Sequence, residues 1–534
     1  MLFNSYIFIL AFLPVTIIGF FTIGRFGHQY SIGWLALASL FFYAWWDFRY
    51  VGLLVCSTII NFGFGVLIGR HLSDEQSRTA KWLTVIAIGA NLLLLGYYKY
   101  ANFFAKNVNQ FASWNIEFES VILPLGISFF TFTQIAYLMD TFQGKVKEFS
   151  FNNYLLFVTY FPHLIAGPLL HHKYMMPQFA SKRNNIIDWN NISVGGTIFV
   201  FGLAKKVLIA DSIAGYSTPI FNAVESGGIP LLVESWLGAL AYTLQLYFDF
   251  SAYSDMAIGL SLMFNVRLPL NFNSPYKATS IIDFWRRWHI SLSAFLRDYL
   301  YIPLGGSAFG EFRRTVNLMV TMLIGGLWHG AGWTFVLWGG LHGLYLVLNH
   351  TWRRLFGHTE GAPGTRLGEI VAGAVTFLAV VVGWVVFRAD SISSAMVILR
   401  GMAGLNGISL PILFEPWATN NISSVIGIKF LGLNPLVPEI NIIEGIKVLL
   451  LGFTIVWFFP NVHQIFIAYR PTCEDIRSTS NALTSAKKGS NRRLWSFNSL
   501  VWAPNYWFAW FTGALFCFSI MELTSVSEFL YFQF

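Results

Sequence analysis

Apolar runs of membrane-spanning length follow one another along this chain, separated by short polar or basic stretches. The first covers residues 5–24. Others lie near 32–46, 50–69, 82–98, 122–139, 153–170, 193–210, 233–264, 315–350 (two passes), 369–388, 446–468 and 500–521. At roughly 20 residues per crossing these predict about twelve passes. The fold class is therefore an all-α polytopic membrane protein of about 11–13 transmembrane helices with re-entrant or interfacial segments. Two runs are awkward. The 153–170 run contains Pro162, His163 and Pro168, and the 233–264 run is too long for one pass and contains Asp249 and Asp255. Broken or polar helices are tolerated at that depth only where protein or a water-filled cavity surrounds them. The first run has no basic n-region and no A-x-A site, so it is expected to stay as a span.

One stretch breaks the apolar monotony. From Asp283 the sequence reads DFWRRWHISLSAFLRDYLYIPLGG, then, after a charged turn, NLMVTMLIGGLWHG. Trp285, Trp288, Leu292, Phe295 and Tyr299 recur at steps of three and four, which predicts one amphipathic helix with these residues on one face. His289 falls at the border of that face, beside a polar line of Arg286, Ser293 and Arg297. Ser280 is placed to cap the helix with Asp283 as its capping-box partner, and Asp283 with Arg287 forms an i,i+4 pair. Pro303 and Gly305–Gly306 end the element. The run from Val316 to Trp328 then carries His329 to membrane depth.

Composition agrees with the pattern. Only 11% of residues are charged, against about 25% in soluble domains. The formal charge of +8 reads as the positive-inside bias of cytoplasmic loops, and it also favours an anionic lipid or a phosphate-bearing cofactor such as coenzyme A. The basic residues are scattered among spans, which argues against nucleic acid. Lys and Arg concentrate in 70–81, 173–183, 267–314, 353–366 and 470–493, whereas 401–445 has only Lys429. These loops place the organising stretch in the cytoplasm, and 401–445 and the N-terminus outside. Cys56, Cys473 and Cys517 lack motif spacing, so neither a disulfide framework nor a zinc site is expected. No P-loop, H-E-x-x-H or G-x-S-x-G motif occurs, which leaves nucleotide hydrolysis, zinc proteolysis and serine hydrolysis unsupported.

The candidate chemistry is carried by histidines and buried carboxylates. An ionisable residue at membrane depth is a functional hypothesis by default, and imidazole titrates near working pH, so His329 is the candidate general base. The competing reading is a core histidine in a glycine-packed bundle. His289 is either a second reactive group or an interfacial residue stacked on Trp285 and Trp288, and His342 reads as structural. His171 and His172 lack a third ligand at metal spacing. Asp249 and Asp255 must pair or bind something: an ion pair with an arginine of 286–297 is the plainer expectation, and a proton or substrate role the sharper one. Asn271 and Asn273 either hydrogen-bond a carbonyl oxygen or turn the chain ahead of the helix.

The motifs SPYKATSIIDFWRRWHISLSAFLRDYLYIPLGG and LIGGLWHGAGWTFVLWGGLHG resemble the membrane-bound O-acyltransferase (MBOAT) family. The nearest resemblance is to its bacterial alginate branch, which YFDFSAYSDMAIGL, FPHLIAGPLLHHKYMMPQF and FLYFQF also resemble. The likeness is tight from about Leu123 to His350. It implies one integral-membrane domain over 1–534, with a core at about 120–350 and C-terminal helices over 369–534. It implies catalysis by His329, maps His289 onto the family's R-W-H histidine as the second catalytic candidate, and implies acyl transfer from a cytoplasmic thioester toward an extracytoplasmic acceptor. The expected donor is acetyl-CoA, docked by Arg286, Arg287 and Arg297, with Asn273 as a candidate oxyanion donor and no permanently bound cofactor or metal. The expected setting is the bacterial inner membrane, with an SGNH-type extracytoplasmic acetyltransferase as partner for acetylating an exported polysaccharide such as alginate or cellulose. At His163 and His172 the chain departs from the family pattern, which points to a changed partner- or acceptor-facing surface. D-alanyl transfer to teichoic acid is the related alternative. A transporter using Asp249 and Asp255 for proton coupling is the alternative from another class, and the absence of internal repeats counts against it.

Overall fold

The computed structural model describes residues 1–112, 122–357, 365–411, 428–431, 436–437, 440–473, 500–524 and 530. Helices form almost wherever the apolar runs predict them. In chain order they are α1 (Phe8–Ile23), α2 (His28–Ala44), α3 (Arg49–Ser73), α4 (Ser77–Ala112), α5 (Ile127–Phe142), α6 (Phe151–Thr159), α7 (Phe161–Leu164) and α8 (His172–Phe179). Then come α9 (Trp189–Glu225), α10 (Leu232–Met263), α11 (Ile281–Trp285), α12 (Ile290–Leu296), α13 (Gly310–His329), α14 (Trp333–Leu355), α15 (Arg366–Arg388) and α16 (Ile392–Met402). The chain continues through α17 (Ile442–Phe458), α18 (Val462–Ile465) and α19 (Tyr506–Thr524). One short parallel ladder departs from the all-helical expectation: β1 (Ile408–Pro411) pairs with β2 (Ile428–Leu431). About half of the loop at 401–445, including its Trp417, and most of the loop at 470–493 fall outside the described residues.

This is a multi-pass membrane protein. Among the described residues, five helices are long and apolar enough to cross a bilayer: α3, α4, α9, α15 and α19. The other runs counted toward twelve passes form helices that are shorter or richer in polar groups. The outer faces carry exposed apolar side chains, such as Leu10, Leu37, Leu93 and Trp510, as lipid-facing surfaces do.

The 233–264 run resolves into one unbroken helix, α10, of 32 residues, or about 48 Å. It exceeds a ~30 Å hydrocarbon layer, yet it is buried nearly along its whole length. It therefore runs through protein, which is how it can hold two carboxylates. Small residues let α9 press against it. A Cβ on Gly195 would meet Gly259 O at 2.6 Å, and one on Gly202 would meet Ala252 O at 2.8 Å. The 153–170 run is broken, as its prolines predict. Tyr160 leaves the helix at ψ 109°, and Pro162 opens the single turn of α7. The segment is buried, so its freed backbone groups face protein.

Two large hydrophobic clusters fill the interior. One gathers the N-terminal helices around the second half of α10 and takes in Leu292, Phe295 and Trp328. The other joins α9, the first half of α10, α15 and α17, and takes in Trp288, Trp338 and Trp384. Their seam passes between Trp328 and Trp338, and the two key histidines lie along it.

Candidate active site

The predicted single helix from Asp283 onward is two helices. Its start is as expected: Ser280 accepts from Asp283 N at 3.1 Å, and Arg287 pairs with Asp283 at 2.9 Å. The helix then stops at Trp285, and His289 adopts the left-handed conformation (φ 43°, ψ 55°) before α12 begins. No glycine or proline announces the break. It is held from outside by the preceding segment, through Asn273 N to Arg287 O and Ile290 N to Asn271 O, each 2.9 Å. A non-glycine residue in this region costs of order 1–3 kcal/mol and persists only where its surroundings over-determine it. The break also divides the expected face. Trp285 and Trp288 go to one cluster, and Leu292 and Phe295 to the other. His289 lies not at an interfacial border but fully buried.

Asn271, rather than Asn273, anchors this histidine. Its Oδ1 accepts from Ser291 Oγ (2.9 Å) and from His289 Nδ1 (3.0 Å), while its amide donates to Ser254 Oγ (3.1 Å). Ser291 Oγ in turn accepts from Leu169 N at 2.9 Å. With Oδ1 an acceptor throughout, Nδ1 of His289 must carry the proton, and Nε2, buried without a hydrogen-bond partner, presents its lone pair. Asn273 is turned elsewhere: its Oδ1 accepts from Asn461 Nδ2 at 3.1 Å and its carbonyl from Arg287. Nothing in these contacts brings its amide to a histidine.

His329 is the last residue of α13. Trp328 (4.9 Å), Trp338 (5.2 Å) and Phe387 (5.2 Å) surround its ring, and the His289 ring lies 6.5 Å away, centroid to centroid. One side of this aromatic box opens on a cavity of about 110 Å³ lined by Trp46, Lys99, Ser128, Ile165, Trp328 and His329. His342 sits behind Trp338 (4.8 Å), fully buried between Phe284 and Trp285, with neither ring nitrogen hydrogen-bonded.

The three arginines differ in their surroundings. Arg287 is held by Asp283, Arg297 pairs with Asp298 at 2.7 Å, and Arg286 and Arg297 are exposed on opposite sides of the break. The buried carboxylates are ion-paired as expected, but to lysines rather than to an arginine of 286–297. Lys206 Nζ lies 2.7 Å from both Asp249 and Asp211, and Asp255 takes Lys205 at 2.5 Å and His463 at 2.8 Å. Both lysines stand in a π turn, Lys205–Ala210, inside α9. His163 and His172 are core residues rather than parts of a partner- or acceptor-facing surface. His163 bonds Phe157 O at 2.9 Å, and His172 packs on Tyr137 and Phe157.

Sequence reasoning missed Lys99, Lys205 and Lys206. Each is a cation inside or at the end of an apolar run, and an ionisable residue in such a place is itself a signal.

Comparison with known proteins shows the family. The family model "MBOAT, membrane-bound O-acyltransferase family" matches residues 16–388. The chain is 45% identical over 439 residues to a protein named "Peptidoglycan O-acetyltransferase" from Helicobacter pylori, covering 77% of this chain and 81% of that one. It is 42% identical over 400 residues to "Probable alginate O-acetylase AlgI" of Pseudomonas aeruginosa (74% and 73%). Likeness to "Teichoic acid D-alanyltransferase" of Bacillus subtilis is weaker, 25% over 331 residues (60% and 82%). The chain belongs to the membrane-bound O-acyltransferase family and is an acyltransferase.

Proposed function

We propose that this protein moves acetyl groups from cytoplasmic acetyl-CoA across the bacterial inner membrane for O-acetylation of a cell-envelope or exported polysaccharide. Acetyl is favoured over D-alanyl because the relatives at 45% and 42% identity are named for O-acetylation and the D-alanyl relative stands at 25%. The first of these names widens the acceptor class from alginate and cellulose to peptidoglycan.

The observation that carries the reading is the placement of His329 at the end of a membrane-deep helix, beside a cavity. α13 starts beside Arg313 and Arg314 and ends at His329. α4 starts beside Arg78 and Lys81 and presents Lys99 some twenty residues on. By the positive-inside rule the basic ends are cytoplasmic, so the cavity beside His329 faces the other compartment. In the proposed reaction His329 takes the proton of an acceptor hydroxyl. That oxygen attacks the thioester carbonyl, the C–S bond breaks, and the coenzyme thiolate leaves and recovers the proton. His289, its tautomer fixed by Asn271, offers a second nitrogen to the same reacting group.

A cavity of about 110 Å³ admits an acetyl group and a hydroxyl-bearing tip, not a polymer. The glycan step is therefore assigned to a separate extracytoplasmic transferase. Purified protein should cleave acetyl-CoA slowly by itself and acetylate glycan only once that partner is added. His329→Ala should leave folded protein with less than about a tenth of the thioester cleavage, since general-base catalysis contributes 10²–10⁴-fold. Higher residual activity overturns the role of His329, and glycan acetylation by this chain alone overturns the two-protein scheme.

A further inference from the structure

α13 ends at His329 without an ordinary helix C-cap. Gly330 is extended (φ −160°, ψ 155°) rather than left-handed, so no Schellman or αL turn folds back over the last carbonyls. Those carbonyls lie in the interior and need donors. They find them on two consecutive residues of another helix. Tyr100 Oη donates to Leu327 O at 2.7 Å, and Lys99 Nζ donates to Trp328 O at 2.5 Å and to His329 O at 3.0 Å. The third Lys99 proton goes to Ser128 Oγ at 3.3 Å, so all three donors of the ammonium are engaged. Both residues belong to the π turn Gly96–Tyr100 of α4, a kind of interruption that occurs frequently at functional sites. A cation at a helix C-terminus also meets the negative end of the helix dipole.

We propose that Lys99, assisted by Tyr100, is a positioning residue for the His329 imidazole: a cap supplied in trans that fixes the end of α13 from which the ring projects. This rests on His329 acting as the base. The ammonium holds the carbonyl of His329 itself and the one before it. Without it, two carbonyls beside an open cavity lose their donor, and the extended Gly330 offers no local substitute. The terminal turn then loosens where the ring must hold its place. A displacement of about 1 Å can cost about 10²-fold in rate.

Lys99→Met keeps the length and apolar volume of the side chain and removes its N–H donors. The expected result is a kcat for acetyl-CoA cleavage lowered about 10- to 100-fold, with KM for acetyl-CoA changed less than about twofold. Lys99→Arg should recover much of the loss. Lys99→Ala, which opens space onto the cavity, should respond to added ethylammonium but not to ethanol. Tyr100→Phe should lower kcat several-fold at constant KM, and it carries the test if neither Lys99→Met nor Lys99→Ala folds. Wild-type kcat in Lys99→Met or, failing that, in Tyr100→Phe overturns the inference. So does a loss in kcat and KM together that neither arginine nor ethylammonium relieves, which is the signature of general distortion. His329→Ala runs alongside. If it is inactive while Lys99→Met is fully active, this inference alone fails; if it is active, the base reading fails and the inference with it.

Discussion

Gly326→Ala should cripple the enzyme although alanine is the better helix former. α13 and α14 cross backbone to backbone. A Cβ on Gly326 would lie 2.2 Å from Phe335 O, and one on Gly339 would lie 2.3 Å from Met322 O. Real contacts of this kind need about 1 Å more, and the atoms in the way are carbonyl oxygens rather than side-chain tips that could swing aside. The helices must therefore separate, at a cost of about 1–3 kcal/mol, the usual range for overpacking. Helix propensity pulls the other way by about 1 kcal/mol, so the sign of the effect discriminates. Gly326 lies one turn before His329, and a shift of about 1 Å there predicts a fall in kcat of about 10²-fold. The neighbouring glycines are the controls: a Cβ on Gly340 would meet only Leu323 Cδ2 at 3.6 Å, and one on Gly325 would meet the end of Leu296 at 3.1 Å. The assay is acetyl-CoA cleavage by detergent-purified protein, with the melting temperature read on the same samples. Gly326→Ala and Gly339→Ala should lower both kcat and Tm, and Gly340→Ala neither. Wild-type behaviour of Gly326→Ala, or equal damage from Gly340→Ala, would refute the reasoning.

Asn271→Leu removes the acceptor that sets the His289 tautomer. It should mimic His289→Ala in kcat, and the double variant should be no worse than either single one, a coupling that a double-mutant cycle measures directly. Lys206→Met takes a cation from between Asp249 and Asp211 and should destabilise the fold by about 3–5 kcal/mol, seen as lost folded yield and lower Tm, with partial recovery in the double variant carrying Asp249→Asn. For topology, after replacement of Cys56, Cys473 and Cys517, a cysteine at position 420 should react with an impermeant thiol reagent in intact cells and one at 485 should not. The opposite pattern would reverse the orientation.

Much of this architecture was legible from hydrophobic periodicity, because lipid forces backbone satisfaction inside each span. The runs at 50–69, 315–350 and 369–388 became α3, the α13–α14 pair and α15, and the prolines of 153–170 marked a real break. The break before α12 was invisible. A left-handed histidine carries no local signature, and it is held open by Asn271 and Asn273, some eighteen residues upstream. The same long-range dependence hid the partners of Asp249 and Asp255. Sequence distance does not choose between the arginines of 286–297 and Lys205 and Lys206, which reach the carboxylates because α9 packs along α10. His163 and His172 misled in the other direction. Their departure from the family pattern suggested a partner- or acceptor-facing surface, whereas one backbone carbonyl and two aromatic faces suffice to bury them.

The broken helix is also what makes a two-histidine site. On one continuous helix, His289 would have stayed beside Trp285 and Trp288, facing a single core. Turned out of the helix at φ 43°, it lies on the seam, with Phe250 at 4.8 Å on one side and Trp328 at 6.1 Å on the other. The 6.5 Å between the His289 and His329 ring centroids is too long for a direct ring-to-ring hydrogen bond, which needs nitrogens about 3 Å apart. The proposed reaction places one oxygen-bearing group between the two rings. That group is the acceptor hydroxyl, with His329 on the side of the cavity and His289 deeper in the protein. The strain at His289 then has a use: it buys a second nitrogen facing the reacting oxygen. A substitution that let the 286–289 segment become helical would relieve the strain and withdraw that nitrogen, so a gain in stability with a loss of kcat is the behaviour this geometry requires.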